Sequence, residues 1–101
     1  MPLLKVGAVS ALPPGSVAEV ERPDARYAVC NVDGKVFCID GTCPHAGGPL
    51  GQGSLNGHMV TCPWHGWEFD CRTGINDFDE DVQQRTFPVV IEDEQIFVDV
   101  P

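Results

Sequence analysis

Positive charge is scarce in this sequence. Six Lys and Arg stand against fifteen Asp and Glu, giving a net charge of −9 and an isoelectric point near 4.4. Such a surface repels phosphate backbones and anionic headgroups, so nucleic acid and membrane are excluded as expected partners. Long apolar runs are missing too: nothing approaches the ~20 residues that a membrane-spanning helix needs. Met1-Pro2-Leu3-Leu4-Lys5 shows no charged segment leading into an apolar signal core. A soluble, cytoplasmic chain is expected. Helical periodicity is absent, since no ten-residue stretch repeats its apolar positions at the spacing of one helix face. There is also no phosphate-cradling glycine loop and no pairing of a nucleophile with a base, so the sequence offers no catalytic centre.

What is present is strand-and-turn patterning. With 101 residues there is room for one domain with a modest core. Residues 3–9 read as an edge strand and residues 16–21 as a second strand. Residues 27–32 and 35–40 form a hairpin through Asp33-Gly34, the strongest turn signal in the chain. Both faces of that hairpin are apolar, which predicts a central position. Asn56-Gly57 turns the chain into residues 58–62, and residues 67–71 return antiparallel. Residues 87–91 and 95–100 pair through Glu92-Asp93-Glu94. The expected fold is all-β, an antiparallel sandwich or barrel. Residues 41–53 are irregular and rich in Gly and Pro, and residues 41–70 as a whole are expected as a small subdomain set into a base built from residues 1–40 and 71–101.

The chemistry concentrates in that inserted stretch. Cys43-x-His45 and Cys62-x-x-His65 are two short clusters with sixteen residues between them, each giving one thiol and one imidazole. Two such knuckles can close a four-ligand site. One Zn²⁺ would take the set tetrahedrally as a structural staple. A [2Fe–2S] cluster would take two thiolates on one iron and two imidazoles on the other. Zinc fingers usually pair Cys with Cys and His with His, whereas here each loop is mixed. Pro44, Gly47, Gly48, Pro63 and Gly66 suit loops whose backbone N–H groups must turn towards inorganic sulfide.

Taken together, Cys43-Pro44-His45 and Cys62-Pro63-x-His65-Gly66, with Phe69-Asp70, Thr73-Gly74 and Phe87-Pro88-Val89, resemble the small soluble Rieske ferredoxins. The resemblance spans about residues 29–100. It implies a Rieske-like fold, one [2Fe–2S] cluster per chain and Cys43, His45, Cys62 and His65 as ligands. It further implies Cys43 and Cys62 on the buried iron, with electrons exchanged at the His45/His65 edge. The partners implied are a flavin-dependent NAD(P)H reductase and a terminal, aromatic-ring hydroxylating oxygenase, met by a monomeric carrier. A small subunit of a reductase complex, such as one for nitrite, is the alternative within the family. High-potential members carry Ser and Tyr hydroxyls where this chain has Trp67 and Phe69, and a loop-joining disulfide where it has Gly48 and Trp64. Both departures imply a low potential.

The remaining residues have plainer readings. His58 is expected to be an ordinary strand histidine. Cys30 and Cys38 flank the Asp33-Gly34 turn in a register that puts their sulfurs on opposite faces. With Cys71 they are expected to be buried thiols rather than disulfides. Acidic residues crowd the second half: residues 51–101 hold ten acids against Arg72 and Arg85, net −8. Asp77, Asp79, Glu80 and Asp81 share one loop, either as a solvated surface or as a steering face for a basic partner.

Overall fold

A computed structural model describes residues 3–44, 47–64 and 66–100. Among the described residues, ten strands run in chain order: β1 (Leu3–Ala8), β2 (Val17–Arg22), β3 (Ala25–Val32), β4 (Lys35–Asp40), β5 (Ser54–Asn56), β6 (Met59–Thr61), β7 (Glu68–Asp70), β8 (Thr86–Phe87), β9 (Val89–Glu92) and β10 (Gln95–Asp99). They form three antiparallel sheets, ordered β2-β3-β4-β8, β1-β10-β9 and β5-β6-β7. Short 3-10 turns at residues 9–11 and 50–52 complete the regular structure of the described residues.

The β3–β4 hairpin is the spine. Asp33 and Gly34 both take left-handed backbone angles, φ 51° and 94°, the two-residue turn whose twist matches that of the strands it joins. Asn31 locks the corner, accepting the Gly34 N–H on Oδ1 at 2.8 Å and donating from Nδ2 to the Leu12 carbonyl at 2.7 Å. The turn fixes the register, so Val29 faces Cys38 and Cys30 faces Phe37. Successive side chains then leave the strand on opposite faces. Tyr27, Val29 and Cys38 pack with Ile96, Val98 and Val100 in one core layer. Ala28, Cys30 and Ile39 pack with Cys43, Leu50, Val60, Cys62, Phe69 and Cys71 in the other. A sheet covered on both faces is the central element that the apolar hairpin predicted. Each fully buried Val, Ile or Phe contributes roughly 1.5–3 kcal/mol of transfer free energy.

The sheets stay open, so of the two expected arrangements the structure takes the sandwich. One expectation needs correction: residues 87–91 are not one strand. Phe87 pairs with Cys38 on the central sheet, whereas Val89 pairs with Val98 on the terminal sheet. Pro88 is the break. It has no N–H for a ladder, and its carbonyl instead accepts the Asp99 N–H at 2.9 Å as the chain crosses between layers. Among the described residues, no helix is long and apolar enough to cross a membrane.

Candidate metal centre

The two knuckles are one turn used twice. In each, Cys-Pro is followed by a glycine four residues after the cysteine. The Gly47 N–H donates to the Cys43 carbonyl at 2.8 Å, and the Gly66 N–H to the Cys62 carbonyl at 3.1 Å. Gly47 and Gly66 share the same left-handed φ of 75°, which a side chain would strain. The ring then closes a second time, with Cys43 N–H donating to Gly48 O at 2.8 Å and Cys62 N–H to Trp67 O at 2.7 Å. The sequence carried this signal as Cys-Pro-x-x-Gly at both sites. It was masked because histidine falls two residues after Cys43 but three after Cys62.

The knuckles also face each other. A methyl group on Gly48 would come within 2.6 Å of Cys62 Sγ and 3.1 Å of Trp64 Cγ, so the backbone of the first loop lies directly against the thiol of the second. Cys43 and Cys62 are each 2 % exposed and belong to the same buried cluster. His45 and His65, the other two predicted ligands, lie outside the described residues.

Each loop stands on a rigid base. The first is pinned where Leu50 N–H donates to Gly41 O at 2.8 Å. Gln84 tightens the same neck, its Nε2 donating to the carbonyls of Asp40 at 3.1 Å and Thr42 at 2.5 Å. The second loop is the tip of the β6–β7 hairpin, with Thr61 opposite Glu68 and Val60 opposite Phe69. Phe69 is fully buried beneath it. Trp67 packs against Phe69, ring centres 6.5 Å apart, and meets Phe78 edge-on at 4.9 Å. Trp64, between Cys62 and His65 in sequence, is 57 % exposed.

This donor set suits an iron–sulfur cluster held across two loops. Two buried thiols converge from matching turns, and Gly48 leaves the backbone of one loop free to approach the sulfur of the other. The positions implied for a loop-joining disulfide, Gly48 and Trp64, are indeed adjacent, but glycine and an indole fill them. The model of the Rieske [2Fe-2S] domain matches residues 3–88. The chain belongs to the Rieske family. The Rieske chain is 35 % identical over 101 residues to the ferredoxin component of biphenyl 2,3-dioxygenase from Rhodococcus jostii (strain RHA1), covering 99 % of this chain and 94 % of the relative. It superposes on the Sphingomonas yanoikuyae B1 ferredoxin with a TM-score of 0.87 and 34 % identity, covering 99 % and 100 % of the two chains. It matches a chain in the complex of reduced oxygenase and oxidised ferredoxin of carbazole 1,9a-dioxygenase equally well, with a TM-score of 0.87, 32 % identity and 95 % and 91 % coverage. The cofactor of this Rieske chain is a single [2Fe–2S] cluster, and its work is electron transfer rather than catalysis.

Several residues with a part in the site carried little sequence signal. Asn76 and Gln84 are polar yet buried, 3 % and 6 % exposed. Asn76 Nδ2 donates to the Glu68 carbonyl at 3.0 Å, and its Oδ1 accepts the N–H groups of Phe78 and Asp79. It therefore clamps the acidic loop onto the strand that carries the second knuckle. His58 sits in the turn between β5 and β6 rather than in a strand, 3.8 Å from Asp70. The Arg72 guanidinium, hydrogen-bonded to Asp70 at 2.8 and 3.0 Å, holds that carboxyl below its usual range, with smaller help from His58.

Proposed function

We propose that this chain carries single electrons from a flavin-dependent NAD(P)H reductase to a terminal oxygenase that hydroxylates aromatic rings. The observation that carries this reading is the convergence of Cys43 and Cys62 in one buried cluster on two matching turns. The named partners of its relatives support it: the biphenyl relative is a dioxygenase ferredoxin component, and the carbazole structure holds a ferredoxin with its oxygenase.

Cys43, His45, Cys62 and His65 would hold the cluster, and residues 41–70 would form the subdomain that presents it, with residues 1–40 and 71–101 as the base. When bound, a cluster with two imidazole ligands supplies one-electron redox chemistry at a higher potential than an all-thiolate one, because two negative charges are removed from the irons. The protein's part is to exclude water from the thiol side and to hold both loops still. Leu50, Val60 and Phe69 do the first, the doubled turn hydrogen bonds the second. Trp67 and Phe69 present no hydroxyl to the site, so this centre belongs near the low end of the Rieske range, about −150 mV. The carrier works as a cytoplasmic monomer.

Metal content and the electron paramagnetic resonance of the dithionite-reduced protein test this together. Two iron per chain and a rhombic signal with average g below the free-electron value are expected. One zinc per chain and no signal would leave the four residues as a structural staple and end the electron-transfer reading.

A further inference from the structure

Beneath the knuckles, a second pair of cysteines is in contact. Cys30 on β3 and Cys71 just after β7 place their Sγ atoms 2.6 Å apart, although 41 residues separate them in sequence. Both are buried, 0 % and 1 % exposed. A covalent S–S bond is ~2.05 Å long, so the two sulfurs have about half an ångström left to close. Cys38 does not compete. It faces Val29 across the hairpin and points into the opposite core layer.

We propose that Cys30 and Cys71 are a redox-closing staple, joined into a disulfide by a two-electron oxidant of the peroxide class. Both S–H bonds break and one S–S bond forms. The two electrons go into the peroxide O–O bond, which cleaves and takes up the two protons to leave two waters.

The position gives the bond a purpose. Closing residues 30 to 71 makes a ring that contains Cys43, His45, Cys62 and His65, and ties the central sheet to the sheet bearing the second knuckle. A ring of about 40 residues restricts the unfolded chain enough to raise the folding equilibrium by on the order of several-hundred-fold. The hydrogen bond to Cys71, and burial after it, keep the Cys30 thiol strongly protonated. The pair is thus a dithiol in reducing surroundings and closes slowly, under sustained oxidant.

The cross-link stands apart from the ligand assignment; only its effect on iron retention rests on that assignment. The test treats iron-loaded protein with graded hydrogen peroxide, quenches it in acid, alkylates the remaining thiols and maps the chain with a protease that cuts before aspartate. Asp24, Asp33, Asp40, Asp70 and Asp77 place Cys30, Cys38, Cys71 and the Cys43/Cys62 pair in four different peptides. The expected result is a peptide pair joined through Cys30 and Cys71, two mass units lighter than the dithiol, reversed by dithiothreitol and unchanged in Cys38→Ser. Full alkylation of Cys30 and Cys71 after peroxide overturns the proposal, as does a Cys43–Cys62 link formed in their place. Oxidised protein should also release iron in denaturant at least about tenfold more slowly than reduced protein. Equal release rates with the cross-link present would refute the stapling role while leaving the ligands untouched. Because the map reads the natural chain, it does not depend on whether a Cys30 or Cys71 variant folds.

Discussion

Gly48→Ala tests the geometry of the centre most directly. The added methyl group would lie 2.6 Å from Cys62 Sγ and 3.1 and 3.2 Å from Trp64 Cγ and Cδ2. Non-bonded heavy atoms prefer about 3.5–4.0 Å, so the sulfur contact is roughly 0.9 Å too close. Trp64 is exposed and can swing outward. Cys62 is buried and sits on a hairpin whose turn is closed by two hydrogen bonds, so it yields only if the knuckle shifts. Overpacking of this kind costs about 1–3 kcal/mol, or about 5- to 150-fold in the folding equilibrium. The displacement falls on one proposed ligand, so iron retention should suffer more than the base sheets. Gly47→Ala is the control. Its φ of 75° strains any side chain, but nothing lies within 4 Å of its methyl position. The left-handed backbone alone costs it about 1–2 kcal/mol. Iron per chain, iron-release rate and denaturant midpoint should rank wild type above Gly47→Ala above Gly48→Ala. A Gly48→Ala protein with wild-type iron content, release rate and midpoint would refute the claim that the two loops abut at this point. Equal losses in both variants would show that backbone strain, not the contact, governs the site.

Burial, with a smaller push from Asp40, raises the Cys38 thiol from 9.0 to about 12. Its contribution to stability is therefore complete below pH ~9 and lost as pH rises through about 12, so Cys38→Ala should flatten the alkaline limb of an unfolding-versus-pH curve. Asp70 behaves oppositely: depressed chiefly by the Arg72 hydrogen bond, its contribution is present above pH ~4 and lost as pH falls. Asp70→Asn should flatten the acid limb slightly, the ion pair being largely at the surface; an unchanged acid midpoint and slope would remove this pair from the acid response. Phe69→Tyr supplies a hydroxyl where the chain has none, and should raise the midpoint in a redox titration; a lower midpoint would contradict the low-potential argument. Neutralising Asp79, Glu80 and Asp81 together should slow reduction by the reductase at low salt and matter little at high salt. Identical rates at all ionic strengths would make the acidic loop a solvated surface.

Legibility in the sequence followed the range of the forces involved. Asp33-Gly34 announced its hairpin because two left-handed residues are a local requirement, and a two-residue turn at that point then set the Cys30/Phe37 and Val29/Cys38 register. The pairing of residues 95–100 with the preceding strand was equally readable, although Asp93 and Glu94 take the left-handed turn without any glycine, at φ 50° and 63°. The crossing at Pro88 was not. A proline says that a ladder must stop, but not that Phe87 will join one sheet and Val89 another, since that depends on which edges lie within reach. Asn76 and Gln84 were missed for a related reason: their roles rest on carbonyls of Glu68, Asp40 and Thr42 that come near them only once the chain has folded.

By itself, then, the sequence determined the all-β class, the central hairpin and the four candidate ligands, because turn chemistry, side-chain alternation and knuckle spacing act over a few residues. Tertiary structure alone decided that Gly48 lies against Cys62 and that Cys30 meets Cys71. Those contacts join residues 14 and 41 positions apart, and no local rule specifies a distance between segments that only the folding of the whole chain brings together.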